Sequence, residues 1–204
     1  MIIAEDFLAG SSACLILGDN IFYSAGLTDL LTRSSKSLDN QKGAKVFAYR
    51  VQDPSRYGVV SFDASGKALS LEEKPLKPKS NFVIPGLYFY DSRASQFAKN
   101  LKPSARGEIE ITDLNRIYLE EGTLQVEKLP RGAAWLDTGT PESLIDAAEF
   151  VATIERRQGF KIGCPEEVAF RKGFINQKQL LERAHELNKS SYGEYLHQVA
   201  QENS

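Results

Sequence analysis

Two short apolar runs in this sequence end in aspartate. Ala13-Cys14-Leu15-Ile16-Leu17 leads into Gly18-Asp19-Asn20, and Ala133-Ala134-Trp135-Leu136 leads into Asp137-Thr138-Gly139-Thr140. Two carboxylates at adjacent strand ends could hold one Mg²⁺ in an oxygen-rich site. The neighbouring glycines would let a ligand approach the backbone closely. Asp19 and Asp137 are therefore the candidate metal ligands and candidate catalytic residues. The plainer alternative is that each aspartate caps a turn or a helix, a use for which Asp is favoured. Two such aspartates weaken that alternative without removing it.

A second candidate is Glu72-Glu73-Lys74-Pro75, which follows a strand. A lysine fixed beside a glutamate could pair with a phosphate while the carboxylate accepts hydrogen bonds from sugar hydroxyls. On spacing alone, an exposed charge run at a strand end explains these residues better. Arg56-Tyr57-Gly58 fits a plain hairpin turn. Trp135, the only tryptophan, fits a core position more readily than a ligand platform, and His185 and His197 lie in the helical tail with no assigned role.

These residues need elements to position them. Residues 13–17 are continuously apolar and predict a strand buried on both faces, as in a parallel sheet. Residues 27–38 carry helical spacing, and 44–51 predict a strand. Residues 59–62 and 68–71, joined by Asp63-Ala64-Ser65-Gly66, predict a hairpin. Residues 82–90 are rich in β-formers, but Pro85 predicts an edge or a bulge. Helices are predicted over 92–101 and 111–121, and strands over 124–129 and 133–136. Thr140-Pro141-Glu142 then reads as an N-cap with proline at the first helical position. Short helical stretches at 166–171, 177–187 and 192–199 close the chain. Strands alternating with helices predict an α/β fold with a mostly parallel, doubly wound sheet whose ligands bind at the carboxyl ends of the strands. The expected domains are 1–160 and a small helical appendage, 161–204.

Composition bounds the partners. The 204 residues are 42% hydrophobic and 25% charged, with a net charge of −2. That balance gives no reason to expect nucleic acid or an anionic membrane as partner. Two cysteines, Cys14 and Cys164, have no metal-ligand spacing, and Cys14 reads as a reduced core residue. No apolar stretch reaches membrane-spanning length and no signal peptide precedes the first strand. Cytoplasm is the expected compartment. The first ten residues read like the last turns of a helix closed by Gly10, with no cap before them.

Six motifs occur in order: Leu17-Gly18-Asp19-Asn20, Arg56-Tyr57-Gly58-Val59-Val60, Leu71-Glu72-Glu73-Lys74-Pro75, Gly86-Leu87-Tyr88-Phe89-Tyr90-Asp91, Arg106-Gly107-Glu108-Ile109-Glu110-Ile111-Thr112-Asp113 and Trp135-Leu136-Asp137-Thr138-Gly139-Thr140. Each is weak alone. Together the series resembles the glucose-1-phosphate thymidylyltransferases, in the sugar nucleotidylyltransferase family, and the resemblance runs the length of the chain. It implies a Rossmann-like nucleotidyltransferase fold and the reaction of thymidine triphosphate (dTTP) with glucose 1-phosphate to give dTDP-glucose and pyrophosphate. That reaction supplies deoxysugars of the rhamnose type and surface polysaccharide. The resemblance implies Mg²⁺ on Asp19 and Asp137, a catalytic Lys74 that binds the sugar phosphate, and sugar binding by Glu73. It places Leu17, Tyr57, Gly58, Ile84, Tyr88, Arg106, Glu108 and Trp135 around the substrate. It also implies a homotetramer with feedback by a sugar nucleotide near the appendage.

The family begins with a strand and a glycine-rich loop carrying arginine, and nothing here matches them. The chain is therefore expected to begin after the first βαβ units, and to turn over little by itself. The alternatives are an inert fragment that binds sugar phosphate or other subunits, and a uridylyltransferase of the same fold.

Overall fold

The computed structural model describes residues 1–40, 42–104 and 107–202. The chain divides into two compact units, residues 1–139 and 140–204. In the first, the order is α1 (Glu5–Leu8), β1 (Ala13–Ile16), β2 (Asn20–Tyr23), α2 (Leu27–Asn40), β3 (Ala44–Arg50), β4 (Gly58–Phe62), β5 (Ala68–Glu73), β6 (Phe82–Val83), β7 (Leu87–Tyr90), α3 (Ala94–Asn100), α4 (Ile111–Glu120), β8 (Leu124–Lys128) and β9 (Ala134–Asp137).

The main sheet runs β1-β7-β3-β6-β4-β5, with β8 on β3, and β2 pairs with β9 in a separate two-stranded ladder. The α/β class is as expected, but the mostly parallel sheet is not. Among the described residues only β3 and β8 pair in parallel; the other pairings are antiparallel. The local reason is chain length. β4 and β5 are joined by a tight turn in which Asp63 Oδ1 accepts hydrogen bonds from the backbone of Ser65 and Lys67 at 2.9 Å each. So short a connection permits only an antiparallel pair, whereas parallel neighbours need a long crossover.

β1 corrects a second expectation. It lies at the edge of the sheet with β7 as its neighbour, and its residues alternate between half-buried and exposed. Cys14 is exposed rather than a core residue. Its neighbours in sequence are apolar, but its side chain falls on the exposed face of the alternating strand. Pro85 interrupts the apolar stretch 82–90, but as a break between β6 and β7, each flanked by strands on both sides, rather than at an edge strand.

The core of this unit joins Val46, Val60, Leu71, Tyr88, Tyr90, Leu114 and Tyr118. Two tyrosines also fix α4 by polar contacts. Tyr90 Oη donates to Asn115 Oδ1 at 2.6 Å, and Tyr118 Oη donates to Asp91 Oδ1 at 2.8 Å. Asp91 Oδ2 in turn accepts from Gly43 N at 2.7 Å and from Arg93 Nε at 2.9 Å. Those partners hold the Asp91 carboxyl below its ordinary range even though burial alone would raise it. These hydrogen bonds tie α4 to the sheet, and α4 carries Thr112 to the candidate site.

The second unit is helical: α5 (Pro141–Gln158), α6 (Pro165–Arg171), α7 (Gln177–Glu186) and α8 (Ser191–Glu202). α5 begins with a reciprocal capping box between Thr140 and Ser143 and ends at Gly159 in the left-handed region. Leu180, Ala184, Leu196 and Val199 form the core of α6–α8 around the buried Cys164. No described helix is long and apolar enough to cross a membrane.

Candidate active site

The first unit contains a cleft of about 570 Å³. Its geometry begins with the β2–β9 ladder, which sets Asn20 opposite Asp137 and Phe22 opposite Trp135. The Thr138 backbone N–H donates to the Asp19 carbonyl at 2.8 Å and closes the end of the ladder. Asp19 and Asp137, far apart in sequence, thereby face one space. A β-carbon built on Gly139 would lie 3.6 Å from Asp137 Oδ2 and 3.9 Å from Asp19 Oδ2. Both distances are ordinary van der Waals contacts, so the two carboxylates border one space beside Gly139.

Asn20 organises this corner. Its Oδ1 accepts from Trp135 Nε1 at 2.7 Å and from the Gly86 backbone N–H at 2.9 Å, while its Nδ2 donates to Asp19 Oδ1 at 2.7 Å. The amide orientation follows from chemistry, because both partners of the oxygen are donors only. One side chain thus ties a candidate metal ligand to the tryptophan and to the β6–β7 connection. Gly86 permits this approach, since a β-carbon there would lie 2.7 Å from the Leu17 side chain and 2.8 Å from Asn20 Oδ1. Replacing Asn20 by leucine strands two half-buried N–H donors. The expected loss is about 1–3 kcal/mol of stability, read from urea unfolding. A variant as stable as the parent would show that this hub is incidental.

The opposite wall comes from β4, β5 and α4. The β4–β5 ladder pairs Gly58 with Glu73, and the Lys74 N–H donates to the Tyr57 carbonyl at 3.0 Å. Thr112 Oγ1 donates to Glu73 Oε2 at 2.5 Å, which fixes the carboxylate toward the cleft. A β-carbon on Gly58 would lie 2.8 Å from that hydroxyl, so the contact needs glycine. Lys74 has φ 41, a left-handed conformation unusual for a residue with a side chain.

Electrostatically, Tyr57 links the walls. Its Oη donates to Asp137 Oδ1 at 2.8 Å, and burial together with that carboxylate pushes its pKa up to about 12. Tyr57 therefore stays a donor through the physiological range. Burial and the charges of Glu73 and Asp19 likewise push the Tyr88 phenol upward. Trp135, 9% exposed, packs edge-on to Tyr57 with centroids 5.1 Å apart and to Tyr49 at 5.6 Å.

The cleft brings together Leu17, Asp19, Tyr57, Gly58, Glu73, Lys74, Ile84, Tyr88, Trp135 and Asp137, all singled out in the sequence. Glu108 does not line it. Arg106 lies outside the described residues. The lining also includes Asn20, Ser55, Arg56, Gly86, Ile111 and Thr112, to which sequence reasoning gave no role. Asn20, Arg56, Gly86, Ile111 and Thr112 were already inside the quoted motifs, and that was the available signal.

Two carboxylates with room between them suit a hard divalent cation that keeps water and substrate oxygens as its other ligands. Among the described residues no cluster of three or more His, Cys, Asp or Glu could form an all-protein cage. The remaining lining offers cations, hydroxyls and an aromatic wall, the chemistry that holds a phosphorylated polyol.

A sequence profile of the family described as nucleotidyl transferase matches residues 1–154. A glucose-1-phosphate thymidylyltransferase of Mycolicibacterium smegmatis is 56% identical over 97% of this chain and 67% of its own length. One of Xanthomonas campestris pv. campestris is 54% identical over 98% of this chain and 66% of its own length. The chain thus spans about two thirds of the length of these curated relatives. Among solved structures, a Bacillus anthracis protein described as a glucose-1-phosphate thymidylyltransferase, in complex with sucrose, superposes with a TM-score of 0.63 at 39% identity. It covers 72% of this chain and 57% of its own.

Proposed function

We propose that this chain, which belongs to the nucleotidyl transferase family, forms the sugar-phosphate and metal side of a glucose-1-phosphate thymidylyltransferase site. The single observation that carries the reading is the convergence of Asp19, Asp137, Glu73 and Lys74 on one cleft. The reaction joins dTTP to glucose 1-phosphate. A phosphate oxygen of the sugar attacks the α-phosphorus in line, pyrophosphate leaves, and no protein nucleophile is required. Catalysis of this kind rests on positioning and charge neutralisation.

Each residue has a role its surroundings support. Lys74 pairs with the sugar phosphate, since its ammonium has no partner among the described residues. Glu73, oriented by Thr112, accepts hydrogen bonds from sugar hydroxyls. Tyr88 and Trp135 supply the apolar wall against the ring, with the Ile84 and Gly58 backbones beside it, and Leu17 closes one side. Asp19 and Asp137 would hold Mg²⁺, which supplies charge neutralisation at the reacting phosphates. Tyr57 keeps Asp137 oriented. Arg106 and Glu108 complete the proposal on the strength of the motif that contains them. The wider proposal extends the family resemblance: a homotetramer that makes dTDP-glucose for rhamnose-type deoxysugars and surface polysaccharide, in the cytoplasm that the composition suggests.

Calorimetric titration of the protein with glucose 1-phosphate in the presence of Mg²⁺ tests the sugar-phosphate assignment. Saturable binding that glucose alone does not reproduce is expected. Equal affinity for glucose and its 1-phosphate would overturn the role of Lys74. Pyrophosphate release with dTTP compared with uridine triphosphate reads the base preference.

A further inference from the structure

The cleft holds a second cation that the proposed reaction has not used. Arg56 lies in the turn between β3 and β4. The backbone of that turn is pinned, because Asp53 Oδ1 accepts from Ser55 N at 3.1 Å and from Ser55 Oγ at 2.7 Å. The side chain is far less constrained. It is 50% exposed, and its Nη2 stands 3.8 Å from Asp137 Oδ2, too long for a hydrogen bond. Its guanidinium carbon lies 5.7 Å from the Tyr57 ring centroid, within cation–π range.

The two oxygens of Asp137 are therefore not equivalent. Oδ1 is engaged by the Tyr57 hydroxyl at 2.8 Å. Oδ2 faces both Arg56 and the space beside Gly139 that it shares with Asp19. A divalent cation held between the carboxylates would take Oδ2, the oxygen Arg56 attends. The guanidinium and the metal cannot both remain there without mutual repulsion. An exposed ion pair of this length contributes little, so releasing it costs little.

We propose that Arg56 is an exchangeable counter-ion. It neutralises Asp137 while no metal is bound, and passes to the substrate phosphate when a divalent cation takes Asp137 Oδ2. The inference rests on the thymidylyltransferase reading of the same cleft. Its chemistry is specific to arginine. The planar fork suits bidentate contact with phosphate oxygens, and the tyrosine ring face offers a resting place between the two partners. Lys74 and Arg56 would then face the phosphate together. The exchange also gives a reason for Tyr57: it keeps Asp137 from turning with the departing arginine.

The test uses the 204-residue chain and two ligands measured separately. Mn²⁺ binding is read by the loss of its free electron-paramagnetic resonance signal, and glucose 1-phosphate binding by calorimetry. In Arg56→Gln, Mn²⁺ affinity without phosphate ligands should rise by about 2- to 5-fold, because a competing charge is gone. Glucose 1-phosphate affinity in the presence of metal should fall by about 10-fold. Arg56→Lys keeps the charge without the fork, so its Mn²⁺ affinity should stay near that of the parent while its sugar-phosphate affinity falls. A merely structural arginine would move both affinities down together, and that result, or no change in either, overturns the exchange. If the parent protein binds neither Mn²⁺ nor glucose 1-phosphate, the thymidylyltransferase reading itself fails.

Discussion

Replacing Lys74 by glycine should make this protein slightly more stable and a much poorer binder of glucose 1-phosphate. Lys74 sits at φ 41. For an L-residue the left-handed region costs about 1–2 kcal/mol, and glycine escapes that cost. Part of the gain is lost to the greater freedom of glycine in the unfolded chain, so a net stabilisation of about 0.5–1 kcal/mol is expected. The side chain is exposed and its ammonium has no partner among the described residues, so little packing is sacrificed. The phosphate contact is another matter. A hydrogen bond to a charged group contributes roughly 1.5–3 kcal/mol, so affinity should fall by about 10- to 10²-fold. Lys74→Ala separates the two effects, because alanine keeps the strained backbone and loses only the charge. It should bind as weakly as the glycine variant without the gain in stability. The checks are the urea midpoint and a glucose 1-phosphate titration of both variants. Parent-like affinity in either would remove Lys74 from the phosphate site, and a destabilised glycine variant would contradict the strain.

Strain of this kind at a ligand-facing position suits a site that stability alone would not build. The Lys74 N–H is fixed to the Tyr57 carbonyl, and Tyr57 is fixed to Asp137. The candidate phosphate group and the candidate metal ligand are thereby linked through one tyrosine.

Much of this cleft is legible in the sequence, and the unreadable parts have definite causes. Asp19 and Asp137 stand out because each ends an apolar run. Their proximity, however, arises differently from the sequence expectation of adjacent parallel strand ends. β2 and β9 form their own antiparallel ladder, and Asn20 stands opposite Asp137 within it. β2 is four residues long and half-buried throughout, so it shows neither alternation nor a continuous apolar signal strong enough to find. The same blind spot hides Asn20, whose importance lies in three partners supplied by distant segments. β1 misleads in the opposite direction. Its unbroken apolar run suggests burial on both faces, but it is an edge strand, and Cys14 is exposed. Apolar composition records what a strand can bury, while sheet order decides what it does bury. Helices are easier to place, because α5 announces its start with Thr140-Pro141 and its end with Gly159. Thr112 is legible only as part of a motif. Its hydrogen bond to Glu73 joins α4 to β5 across thirty-nine residues of sequence, and local patterning does not carry such a pairing.

Neutralising either aspartate should abolish most divalent-cation binding, and neutralising both should cost little more. Asp19→Asn and Asp137→Asn each preserve the local hydrogen bonds. An amide oxygen can still accept from Asn20 Nδ2 at the first position and from Tyr57 Oη at the second, so neither variant should unfold. What each removes is charge beside the space that both carboxylates border next to Gly139. Disturbing even the outer partners of a bound metal typically costs about 10- to 10²-fold in affinity, so loss of a direct carboxylate should cost at least that. If the two carboxylates serve one ion, the second substitution acts on a site already lost. The double variant should then lie close to the weaker single one. Independent sites would instead combine their losses additively in free energy, as distant positions ordinarily do. Mn²⁺ titrations of the parent, both singles and the double variant distinguish these cases. Full additivity would mean that Asp19 and Asp137 bind separately or not at all, and the shared metal position would have to be given up. A single variant that binds like the parent would assign its aspartate to the ladder alone, as the turn or cap residue that its sequence context also permits.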